Sequence, residues 1–211
     1  MRLRNVRNAS DLIDNNSLWV VPNPETMNGK WADIFDNDHP IHLEIGCGKG
    51  KFLMEMAQTN PDVNFIGIEK FDSVIVRALQ KLIKKPLDNV RLLRTDAAFL
   101  TSIFATGEIS CIYLNFSDPW PKPSHFRRRL TSMQYLERYR FVLTPQSHIF
   151  AKTDNFPLFA FSMMSSVNSG LIINRISLDL HRDMDIANIE TEFEARFSKQ
   201  GKPIYYIDAQ Y

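Results

Sequence analysis

From residue 41 onward, short apolar runs that close on a glycine or an acid alternate with stretches whose apolar residues recur at helical spacing. IHLEIG (Ile41 to Gly46) predicts a buried strand, and in the following KGKFLMEMAQTN the residues Phe52, Leu53 and Met56 predict a helix. The unit repeats in NFIGIE (Asn64 to Glu69), then the helical FDSVIVRALQKLIKK, then VRLLRTDA (Val90 to Ala97). CIYLNF (Cys111 to Phe116) and HIFAKT (His148 to Thr153) read as further strands, with the helical TSMQYLERYRFVL between them. Strands alternating with helices imply a parallel α/β sheet that presents ligand sites at the carboxyl ends of its strands. LIINRISLDL and KPIYYIDAQ have no clear long helix between them, which predicts an antiparallel edge. Residues 1–40 are polar and turn-rich (VPNPE, FDNDHP), with Trp19 and Trp31 as anchors. They are expected to form an N-terminal arm packed on a domain spanning residues 41–211.

Composition narrows the class. At roughly 150 residues per domain, 211 residues make one generous domain, and 44% hydrophobic with 23% charged residues excludes disordered or fibrous chains. No run reaches the roughly 18 apolar residues of a membrane span, and no apolar run follows the basic start MRLRNVRNASDLIDN, so no membrane association is expected. Two cysteines, Cys47 and Cys111, without CxxC spacing fit a reducing, cytoplasmic location. The five histidines lack metal-ligand spacing, so no metal is expected. Net charge is only +1, yet Lys122, Arg127, Arg128, Arg129, Arg138 and Arg140 face the single acid Glu137 across residues 122–140.

Candidate chemistry gathers at the strand ends. Gly46, Gly48 and Gly50 alternate where the first strand turns into a helix, which lets backbone approach a ligand. Lys51 stands where a dinucleotide fingerprint requires its third glycine, which disfavours a nicotinamide cofactor. With Glu44 two residues before Gly46, the pattern resembles motif one of the class I S-adenosylmethionine-dependent methyltransferases. That cofactor carries a sulfonium and an ammonium and no phosphate, so its site should collect carboxylates. Glu69 closes the second strand at the position of a ribose-binding acid, Asp96 closes the third, and Asp118 follows the fourth. Each alone also reads as a helix cap.

Asn115 to Lys122 (NFSDPWPK) is the most unusual stretch. Pro119 and Pro121 stiffen a loop that carries Asp118 and Trp120. SDPWPK, HFRRRL, KTDN (Lys152 to Asn155), TEFE (Thr191 to Glu194) and FSKQGKPIY, in this order and with EIGCGKGKF, resemble the bacterial tRNA (guanine-N7-)-methyltransferases of the TrmB type. The resemblance runs from about Trp31 to the C-terminus. It implies a Rossmann-like fold with a mostly parallel seven-stranded sheet, an antiparallel edge strand and helices on both faces. It implies methyl transfer from S-adenosylmethionine to guanine 46 in the tRNA variable loop, by a monomer or homodimer. Carried over, cofactor contacts fall on Glu44, Gly46, Gly48, Glu69, Asp96 and Asp118, and Asp118 is the catalytic candidate. Substrate contacts fall on Lys122, Asp154, Thr191, Glu192, Phe193 and Glu194. Ser124, His125, Phe126, Arg127, Arg128 and Arg129 form the RNA-contacting segment, although Pro123, Ser124 and Phe126 stand where many relatives are basic.

The residue types suit the reaction. Asp154 and Glu194, as acceptors, match the N–H groups on the pairing edge of guanine and disfavour adenine. T-E-F-E is equally a helix capping box. Two alternatives stay open: an exocyclic amino methyltransferase, since SDPW is similar to a D-P-P-Y loop, and an RNA-binding module without the reaction.

Overall fold

The computed structural model describes residues 8–183 and 185–211. Its seven strands form one sheet in the order β3-β2-β1-β4-β5-β7-β6. The chain divides at Ala105/Thr106 into two compact units, each built from alternating strands and helices.

The first unit contains α1 (Ala9–Asp14), α2 (Trp31–Phe35), β1 (Ile41–Ile45), α3 (Lys51–Thr59), β2 (Asn64–Ile68), α4 (Asp72–Lys84), β3 (Val90–Leu93) and α5 (Leu100–Ile103). The three strands pair in parallel. Every residue of β2 and β3 is buried, which explains their continuous apolar runs. Helix α4 presents Val74, Ile75, Ala78, Leu79 and Leu82 inward and places Lys81 and Lys84 in its last turn, where cations complement the helix dipole. Gly67 brings β2 and α3 together: a Cβ there would stand 2.7 Å from Leu53 Cδ2 and 2.8 Å from Cys47 Sγ.

The described residues before β1, 8–40, belong to this same unit. Trp31 is fully buried, donates its indole N–H to the Ile103 carbonyl at 3.1 Å and packs on Phe104. Residues 19–21 lie along β3: Leu92 donates to the Trp19 carbonyl, Val21 donates to the Leu92 carbonyl, and Val20 forms a parallel bridge with Leu92. Buried Arg91 of β3 reaches the Ile34, Asp88 and Val90 carbonyls between the rings of Trp19 and Phe35.

The second unit contains β4 (Ile109–Asn115), a 3-10 turn (Pro123–Arg128), α6 (Met133–Val142), β5 (Leu143–Thr153), α7 (Phe156–Asn168), β6 (Ile172–Ser177), α8 (Glu192–Ser198) and β7 (Tyr205–Gln210). Strands β4 and β5 are parallel, and β7 runs antiparallel to both β5 and β6. The reversed strand is therefore β7, one place in from the β6 edge. Helix α7 has no counterpart in the sequence reading. It is capped by Asn155, whose side chain accepts from the Leu158 N–H, and it carries Pro157 in its first turn.

Gly67→Ala should overpack the β2–α3 contact and cost about 1 to 3 kcal/mol. The expected readout is a lower urea midpoint with an unchanged denaturant slope.

Candidate functional site

In the first unit, the turn after β1 uses glycine for its backbone geometry. Gly46, Gly48 and Gly50 all have positive φ, at 78°, 59° and 72°, a region that side chains with a Cβ enter only under strain. The N–H groups of Gly46 and Cys47 are fastened to the Ile68 carbonyl at 2.8 and 3.0 Å. Open space lies where a Cβ on Gly46 would project.

Acids surround this turn. Glu44 is buried in β1. Burial pushes the Glu69 carboxyl above its ordinary value, against backbone N–H groups of Phe71, Lys70 and Gly48 and the Lys70 charge. The Phe71 N–H lies 3.0 Å from Glu69 Oε1. Burial, reinforced by the charges of Glu44 and Glu69, pushes the Cys47 thiol well up, so the turn sits in a negative field. Asp96 caps a short 3-10 turn by accepting from the Ala98 N–H at 2.9 Å, with Lys70 3.8 Å from its other oxygen. Capping uses one oxygen of Asp96 and leaves the side chain partly exposed. An open glycine cradle ringed by carboxylates fits S-adenosylmethionine: the cradle admits backbone contact, and the acids complement its two positive charges.

In the second unit, the carboxyl ends of β4 and β5 converge with the start of α8. Phe116 follows β4 with φ 51°, and its ring packs on Phe193 and Phe197 of α8. Asp118 is exposed on the loop beyond. Asp154 follows β5 and accepts from Lys202 at 3.0 Å; the same ammonium lies 4.5 Å from the Phe197 ring centroid. The structure thus brings the SDPW, KTDN and TEFE motifs together.

Two expected contacts turn inward. Glu194 has no exposed surface, and Lys152 of β5, 6% exposed, reaches its Oε2 at 2.8 Å. Lys152 also donates to Asn188 Oδ1 and the Ile189 carbonyl, while Asn188 and His181 meet Glu194 Oε1. Burial raises the Glu194 pKa. The Lys152 charge, with hydrogen bonds from Lys152, Asn188 and the Thr191 N–H, outweighs this and leaves it below the ordinary glutamate value. The capping box is formed: Thr191 Oγ1 accepts from the Glu194 N–H at 3.0 Å, and Glu194 accepts from the Thr191 N–H. With both carboxylate oxygens engaged, Glu194 serves the frame of this segment, and Glu192 and Phe193 are its exposed residues. Lys152, His181 and Asn188 were missed in sequence; the lysine of KTDN was visible, but its partner lies 42 residues away.

Arg129 is the second residue to turn inward. It is 4% exposed and lies between the rings of Phe126 and Phe161, so it does not join Arg127 and Arg128 on the surface. Burial lowers its pKa. Phe126 is turned the same way, packed on Phe161. Lys122 and Ser124 are exposed; His125 is half-exposed and meets the Trp120 ring edge-on, and Arg128 lies 5.0 Å over that ring. Trp120 itself has φ 39°, a left-handed backbone that costs a non-glycine residue about 1 to 3 kcal/mol and persists only where its surroundings enforce it. Among the described residues no group of three or more His, Cys, Asp or Glu is arranged to hold a metal ion, and no helix is long and apolar enough to cross a membrane.

Comparison with known proteins places these features. A family model described as putative methyltransferase matches residues 38–207. A tRNA (guanine-N(7)-)-methyltransferase of Bacillus cytotoxicus is 51% identical over 211 residues, covering 100% of this chain and 97% of the relative. One from Geobacillus thermodenitrificans is 51% identical over 209 residues, covering 99% and 97%. Among solved structures, the 16S rRNA methyltransferase KamB superposes with a TM-score of 0.66 at 15% identity, covering 86% of this chain and 92% of its own. A SAM-dependent methyltransferase from Aquifex aeolicus gives 0.56 at 14% identity, covering 98% of each. At such identities the structures speak for the fold alone.

Replacing Lys152 by methionine would strand the Glu194 carboxylate in the interior, and calorimetric unfolding should show a loss of about 3 to 5 kcal/mol. Because the folded-state pKa of Glu194 is lowered, its stabilisation is present above the ordinary glutamate range and lost as pH falls through the lowered value. Thermal midpoints on acidification should therefore drop more steeply for the native protein than for Glu194→Gln.

Proposed function

Because the chain belongs to the tRNA (guanine-N7-)-methyltransferase family, we propose that it methylates N7 of guanine 46 in the variable loop of tRNA, using S-adenosylmethionine. The observation that carries this reading beyond family membership is the convergence of the SDPW, KTDN and TEFE motifs on the carboxyl ends of β4 and β5.

The chain's residues divide into two sets. Glu44, Gly46, Gly48, Glu69 and Asp96 hold the cofactor, the glycines by close backbone approach and the acids by hydrogen bonds and charge. When bound, the cofactor supplies a methyl group on a positively charged sulfur. Asp118 completes the cofactor contacts and is the catalytic residue. Guanine N7 has an in-plane lone pair and no proton at neutral pH, so no base is required. Its lone pair forms the new N–C bond as the S–C bond breaks, and positive charge passes from sulfur to the purine. The Asp118 carboxylate stabilises that charge as it develops, favouring the transition state over the bound substrate.

Lys122, Asp154 and the Thr191–Glu194 segment position the guanine. Within that segment Glu192 and Phe193 make the contact, while Thr191 and Glu194 hold its shape. Ser124, His125, Arg127 and Arg128 meet the RNA backbone, and the target base leaves its stack to be reached. We place the enzyme in the cytoplasm as a monomer or homodimer, with the expected arm of residues 1–40, of which 1–7 lie outside the described residues, preceding the methyltransferase domain 41–211.

Incubation with unmodified tRNA and methyl-labelled cofactor should yield label only as 7-methylguanosine at position 46. Label on an exocyclic amino group would overturn the assignment. Asp118→Ala should lower kcat by about 10²-fold with tRNA affinity little changed. Arg128→Ala should instead weaken tRNA binding and reduce its salt slope by about one.

A further inference from the structure

We infer that Arg129 is a positioning residue that fixes the loop carrying Asp118, and does not contact the RNA backbone; this rests on the methyl-transfer reading above. Its Nε donates to the Pro119 carbonyl at 2.8 Å and its Nη2 to the Trp120 carbonyl at 3.2 Å. One planar group thereby grips the two residues immediately after Asp118. The Trp120 carbonyl belongs to the residue with left-handed backbone, so the fork enforces the conformation that the chain disfavours at that point.

The surroundings of the guanidinium point the same way. Its Cζ lies 3.9 Å from the Phe126 ring centroid and 4.4 Å from that of Phe161, so aromatic rings wall the group off from solvent. A cation that neutralises a phosphate must offer donors outward, whereas here Nε and Nη2 point at protein carbonyls. The backbone closes around the same residue: the Arg129 N–H donates to the Phe126 carbonyl at 3.1 Å, and the Arg129 carbonyl accepts from the Ser132 N–H at 2.9 Å. Phe161 stands on α7, so the grip reaches from the 3-10 turn to a helix more than thirty residues later in the chain. Arg127 and Arg128 remain on the surface for nucleic acid.

Lysine keeps the charge of arginine but not its rigid fork, so it separates the two roles. A displacement near 1 Å at a reacting group can cost about 10²-fold in rate, so a positioning role should appear in kcat. Arg129→Lys and Arg129→Met are each compared with the native protein for kcat, KM for tRNA, and tRNA affinity as a function of salt. The expected result is a fall in kcat of about 10²-fold in both variants, with KM and the salt slope unchanged. Native-like tRNA binding also certifies that the variants are folded, and if Arg129→Met does not fold, Arg129→Lys decides alone. Retention of native kcat in Arg129→Lys, or a salt slope reduced by about one in Arg129→Met, overturns the inference.

A native protein that transfers no methyl group to tRNA refutes the reaction assignment instead. The loop can then still be tested by acrylamide quenching, because Trp19 and Trp31 are buried and the accessible indole is Trp120. Stronger quenching in Arg129→Lys than in the native protein supports the grip, and equal quenching removes it.

Discussion

A carboxylate with no exposed surface must be compensated or the chain will not bury it, and Glu194 is such a group. Its partner Lys152 comes from β5, and the remaining contacts come from His181, Asn188 and Thr191, in a segment whose described residues form no strand or helix until α8 begins. Irregular chain has no ladder of backbone bonds to define it, so a buried charge that accepts only one arrangement of neighbours does that work. Glu194 also closes the capping box, so the pair determines where α8 starts and hence where Phe193 stands against Phe116. The loop after β4 inherits its position in part from this pair.

The molecule separates its charges by task. Around the glycine turn burial pushes the Cys47 thiol up, and the carboxylates of Glu44 and Glu69 add to that shift. After β4 the cations dominate, yet they are not equivalent. Arg127 and Arg128 are exposed, Arg129 is sealed between rings, and Arg128 rests over Trp120. Neighbours in sequence thus serve an outer and an inner role, because a 3-10 turn sends successive side chains in different directions.

Much of the fold was legible because buried parallel strands are unbroken apolar runs, as in NFIGI and VRLL, and because the glycines and closing acids punctuate them. Helix α7 was not legible for a related reason. FPLFAFSMMSSVN is apolar on most of its circumference, so it lacks the polar face that makes helical spacing visible. At the candidate site, the strand-end acids and the stiff SDPWPK loop could be read locally. The roles of Arg129 and Glu194 could not, since each is decided by a residue more than thirty positions away, Phe161 in one case and Lys152 in the other.

The segment of residues 19–21 that lies along β3 has a further effect. An outermost strand with free amides and carbonyls is a template on which another chain can add its own strand. Leu92 has its amide and carbonyl already taken by Trp19 and Val21, and the ring of Trp19 lies over the Arg91 guanidinium. This flank of the protein is therefore occupied by its own polypeptide, which protects it from edge-to-edge self-association during and after folding.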